Sequence, residues 1–86
     1  MKAGPELVER WRRNPHSKVT VIVHVRDAPA QHVEALRELG LSVTRTFRLT
    51  KTMAAQGLAS DVLDLLDMPW VEKVELDQTI TIQGRA

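Results

Sequence analysis

Valine occupies every second position from 19 to 25, with Thr20, Ile22 and His24 between. Side chains of a strand alternate between two faces. KVTVIVHVR (residues 18–26) therefore predicts a strand that buries Val19, Val21, Val23 and Val25 and turns Thr20, Ile22 and His24 the other way. β-Branched residues suit such a half-buried pleated surface. The period then changes. Ala30, Val33, Leu36 and Leu39 recur every third position, and His32, Glu34, Arg37 and Glu38 fall largely outside that stripe. This is the pattern of a helix with one apolar side. Asp27 is its expected N-cap, Pro29 fits its first turn, and Gly40 stands where a left-handed C-cap belongs.

Alternation returns in VTRTFRL (residues 43–49). Val43, Phe47 and Leu49 share one face with Arg45 among them, and Thr44, Thr46 and Arg48 share the other. After a short turn at Thr50 and Lys51, TMAAQGL (residues 52–58) predicts a strand of small residues, in which Gly57 signals a bulge or a close backbone approach. Ser60 is the expected cap of a second helix whose apolar side is Val62, Leu63, Leu65 and Leu66 and which stops at Met68-Pro69. VEKVEL (residues 71–76) predicts the last strand. Upstream, Pro5–Arg13 predicts a short helix with Leu7, Val8 and Trp11 on one side. Arg10, Trp11, Arg12 and Arg13 read either as a basic aromatic contact patch or as part of a helix that docks its apolar side on the domain. The usual behaviour of chain termini favours docking.

The element order is β-α-β-β-α-β. Right-handed crossovers put both helices on one side of an antiparallel sheet, giving an α+β, ferredoxin-like sandwich of four strands. Residues 1–17 form an N-terminal extension, 18–78 the domain, and 79–86 a tail. The uncovered sheet face is expected to carry Thr20, Ile22, His24, Thr44 and Thr46, a set short of charge and compatible with a partner surface.

Composition narrows the function. Eighty-six residues make one domain. The absence of cysteine excludes disulfides, thiolate metal sites and a cysteine nucleophile. Twelve Lys and Arg against 11 Asp and Glu leave a net charge of +1, a poor match to a phosphate backbone. Trp11, Phe47 and Trp70 are too few aromatics for a base-stacking surface, so nucleic acid is not the expected partner. No stretch approaches the roughly 18 apolar residues of a membrane span, and MKAGPELVERWRRNPHS has no apolar run between its charges, so the expected location is cytoplasmic. His16, His24 and His32 have no metal-ligand spacing. Asp61, Asp64 and Asp67 recur every third residue, which helix-start charge and a solvated face explain without a metal. None of GxGxxG, the P-loop, HExxH or GxSxG is present. The expectation is a protein-binding domain with no catalytic residues, metal or cofactor.

Two stretches sharpen that expectation. GLSVTRTFRLTKTMAAQGL (residues 40–58) runs from a glycine through a strand and a short turn into a strand of small residues. LLDMPWVEKVELDQTITIQ (residues 65–83) runs from an apolar helix past a proline into a valine-flanked strand with Glu75-x-Asp77 and a tail. Together with the element order they resemble the propeptide domain of subtilisin-like serine proteases and its free-standing inhibitor relatives (the peptidase inhibitor I9 family), over about residues 18–83. The resemblance implies that the open sheet face packs on two protease helices. Glu75 and Asp77 would cap those helices, and Ile80, Thr81, Ile82 and Gln83 would fill the cleft as a cleaved product does, with Gln83 beside the catalytic serine. Physics agrees with both parts: helix N-termini favour carboxylates, and an extended segment can add to a cleft as a strand. Gly84, Arg85 and Ala86 continue past that position. No protease domain follows within the chain, so action in trans is expected, as an inhibitor or a folding assistant. An expectation of another class is a homo-oligomeric regulatory module that joins sheets or edges and binds a small ligand between subunits.

Overall fold

The computed structural model describes residues 2–77, and the expected tail of 79–86 lies outside them. The elements are α1 (Pro5–Arg13), β1 (Lys18–Val25), a 3-10 turn (Pro29–His32), α2 (Val33–Glu38), β2 (Ser42–Phe47), β3 (Thr52–Leu58), α3 (Ala59–Leu65) and β4 (Val71–Leu76). All four strands are antiparallel neighbours in the order β2-β3-β1-β4. This is the ferredoxin-like α+β sandwich, with one helix more than the sequence order required.

The extra helix is α1. Trp11 is 1% exposed and Val8 8%, and both join the core formed by Val21, Val23 and Val25 of β1, Met53 and Ala55 of β3, Val71 and Val74 of β4, Leu36, Val62 and Leu65. An indole is among the largest apolar surfaces a chain can remove from water, so this one holds its helix on the domain. The favoured docking reading holds: Trp11 turns inward with the apolar side of the helix, while Arg10, Arg12 and Arg13 stay exposed.

Several local expectations hold with their geometry. Gly40 has φ +100°, the Gly40 N–H donates to the Arg37 carbonyl, and the Leu41 N–H donates to the Leu36 carbonyl. That pair of bonds is the Schellman ending, and Leu36 and Leu41 are both buried beside it. Gly57 marks a close approach, since a Cβ there would lie 2.6 Å from Leu41 Cδ2.

Others are corrected. Asp27 does not cap a helix. The chain enters α2 through the tighter 3-10 turn, which buries Pro29 and leaves Ala30 exposed, and the Asp27 carboxylate accepts from His32 Nε2 at 2.6 Å. Ser60 is not a cap either, because α3 begins one residue earlier. Its first N–H groups are satisfied by the chain before β1: Ala59 donates to the Ser17 carbonyl and Ser60 to the Pro15 carbonyl. β2 ends at Phe47, so Leu49 sits in the following turn, 98% exposed.

Two bulges reset the faces of the edge strands. In β2 the pairing steps from Val43↔Ala55 to Arg45↔Ala54, leaving Thr44 as the extra residue. In β4 it steps from His24↔Lys73 to Val25↔Val71, leaving Glu72. The second bulge lets Val71 and Val74, three apart, both reach the core.

Candidate functional site

Every helix packs on one side of the sheet, so the other side is open. Its residues follow from the register in rows across the four strands. One row runs Lys73, His24, Thr52, Phe47; the next runs Glu75, Ile22, Ala54, Arg45 with Thr44 beside it; the third continues through Thr20, Gln56 and Ser42. The Asp77 N–H donates to the Thr20 carbonyl at 2.9 Å, which carries the β4 ladder one residue past the strand and puts Asp77 in the third row. Glu75 and Asp77 thus share the open face, two residues apart, at the end of β4.

Thr20, Ile22 and His24 lie on this face as expected, and so does Thr44. Thr46 does not. The bulge at Thr44 pairs Thr46 with Met53, on the helix side, and brings Arg45 and Phe47 onto the open face in its place. The Arg45 guanidinium carbon stands 6.0 Å from the Phe47 ring centre. Nothing in the alternation of VTRTFRL signals this exchange, whereas Val71 and Val74 at spacing three do signal the bulge in β4. Ile80, Thr81, Ile82 and Gln83 lie outside the described residues.

The face has relief. β3 supplies Thr52 and Ala54, 6% and 7% exposed, which form a trough beside the bulkier Ile22 and His24 of β1. Charge collects at the rims. Lys73 Nζ lies 2.8 Å from Glu75 Oε2, and this ammonium holds the Glu75 carboxyl below its ordinary range. His24 Nε2 is buried and 3.6 Å from Glu75 Oε1, beyond hydrogen-bond reach.

A second cluster lies at the sheet's other end. The His32 ring stacks on Trp70 with centroids 4.0 Å apart and planes 6° apart, and Asp27 bonds the same imidazole. That bond lowers the Asp27 carboxyl. The Arg26 N–H donates to the Trp70 carbonyl. The cluster clips the β1–α2 connection to the start of β4 and presents no nucleophile. Among the described residues no three His, Asp or Glu side chains are grouped to hold a metal, and no helix is long and apolar enough to cross a membrane.

No protein-family model matches this chain, and no curated protein matches it significantly.

Proposed function

We propose that this domain binds a subtilisin-like serine protease in trans and inhibits it or assists its folding. The open sheet face lies against the protease surface. Glu75 and Asp77 offer carboxylates to N–H groups at the starts of protease helices, where the helix dipole favours negative charge. Ile80, Thr81, Ile82 and Gln83 then run into the active-site cleft as a product-like strand, without covalent chemistry.

The observation that carries this reading is the position of Glu75 and Asp77, side by side on the uncovered face at the end of β4. A tail leaving from there starts at the rim of the docking face. Glu75 is half-exposed and tied to Lys73, so a partner must compete for it, while Lys73 keeps it ionised in readiness.

The test is a titration of a broad-specificity subtilisin's peptidase activity with the purified protein, following both the rate and the fate of the inhibitor. Inhibition with the domain intact, or trimmed only after Gln83, is the expected result. Glu75→Ala and Asp77→Ala should each weaken it about 10- to 100-fold, the size of a lost charge-assisted hydrogen bond. Deleting residues 80–86 should abolish it without changing thermal stability. Degradation of the domain with no inhibition, or full potency in the truncated protein, would sink this mode of action.

A further inference from the structure

The open face is complementary to itself, and we infer that two copies of this chain associate through it about a two-fold axis lying between β1 and β3, parallel to the strands. Such an axis lays β1 of one copy over β3 of the other and β4 over β2. Ile22 then faces Ala54, His24 faces Thr52 and Lys18 faces Leu58, so the ridge of each copy enters the trough of its partner. At the rims Glu75 faces Arg45, and Lys73 faces the ring of Phe47, which together bring opposite charges and a cation–aromatic contact into register. No row superposes like charges.

An in-plane axis perpendicular to the strands and passing through the Ile22 row fails the same test. It would lay Glu75 on Glu75, Arg45 on Arg45 and Ile22 on Ile22, pairing like charges at both rims and ridge against ridge. Edge-to-edge pairing is also blunted. On β4 the Val74 N–H already donates to the Lys2 carbonyl at 2.8 Å, and on β2 the bulge at Thr44 interrupts the edge. The face is what remains for a second copy.

Four strands at sheet spacing give a patch about 19 Å wide. Two such faces stacked in the aligned manner of sheet sandwiches bury roughly 1,100 Å² in total, at the low end of specific interfaces. The dimer belongs with the weak, transient associations that interfaces of this size form. It occupies the same face as the proposed protease contact, so the two states exclude each other, but the inference stands on the face alone and its test contains no protease.

Sedimentation equilibrium of the full chain, from micromolar to millimolar, tests it. The native protein should pass from monomer to dimer over that range. Arg45→Glu and Glu75→Arg should each weaken dimerisation at least about tenfold, because each sets like charges opposite one another. The double variant, which restores opposite charges, should recover most of the loss. Arg45 is exposed and Glu75 half-exposed, so neither change threatens the core. A monomer at every concentration, a dimer indifferent to both reversals, or a double variant no better than the singles would each overturn the inference.

Discussion

The two faces of this sheet are made from the same strands, residue by residue in alternation, yet they are built to different rules. On the helix side Val21, Val23, Met53 and Ala55 are 0% exposed and wholly apolar. On the other side the same strands present Thr20, Ile22, His24, Thr52, Ala54 and Gln56, a mixture of hydroxyl, amide, imidazole and aliphatic groups. The first composition is what a close-packed interior requires. The second is neither a core nor a well-solvated surface: its middle is nearly free of charge, and its charges stand at the rims. That arrangement, nearly uncharged at the centre with charges around it, is how protein interfaces differ from ordinary surface. Stability therefore resides on one side of the sheet, and the other side is left for the recognition proposed above.

The largest effect expected from that division is at Trp11, which lies outside the β-α-β-β-α-β unit in sequence but inside its core in space. Trp11→Ala should cost about 3–5 kcal/mol by urea denaturation, the usual range for emptying a buried aromatic site. If α1 were only an appendage, the loss would stay below about 1 kcal/mol, as for a surface position.

Next in size is a matched pair of neighbours. Val23→Thr puts a hydroxyl where no partner is offered, and should cost about 2–3 kcal/mol. Ile22→Thr makes the same kind of change one residue earlier, on the open face, and should cost less than about 1 kcal/mol. Equal losses at the two positions would mean that the open face is a second core, and the comparison would break. Ile22→Thr should also weaken self-association, because Ile22 is the ridge that fills the trough at Ala54.

Most of this division can be read in the sequence. The valines of β1 identify its inner face, Gly40 ends α2 in the left-handed turn that only glycine adopts cheaply, and the bounds of β3 and β4 follow from their residues. The limits of legibility are equally physical. The caps are not legible because side chains that favour caps need not serve as them: backbone carbonyls of Pro15 and Ser17 satisfy α3, and His32 claims Asp27. The face of Thr46 is not legible, because a bulge flips every residue beyond it and VTRTFRL alternates equally well in either register. Arg45 and Phe47, which give the open face its second charged rim, were hidden by that flip. Trp11 was legible as apolar, but its partners lie in strands far along the chain.

The smallest effect separates the two faces by acid. Asp27, on the loop that the helix side clips to Trp70, is held low first by its hydrogen bond to His32; Glu75, on the open face, is held low first by Lys73. A carboxyl with a depressed folded value stabilises the fold above its unfolded value, here near 3.8 for Asp27 and 4.5 for Glu75. That contribution disappears as pH falls through the lower folded values, so both losses belong to the limb below about pH 4.5. Both groups are well solvated, so each contribution is small. The melting temperature followed from pH 6 to pH 2 should show Asp27→Asn and Glu75→Gln each flattening that limb slightly and leaving it unchanged above. The two carboxyls should differ in a second readout. Loss of Asp27 frees the His32–Trp70 stack and should alter tryptophan fluorescence, whereas loss of Glu75 leaves fluorescence as it was and shows instead in dimerisation. If either variant moved both readouts, the two sides of the sheet would be coupled through β1, and the separation of stability from recognition would have to be abandoned.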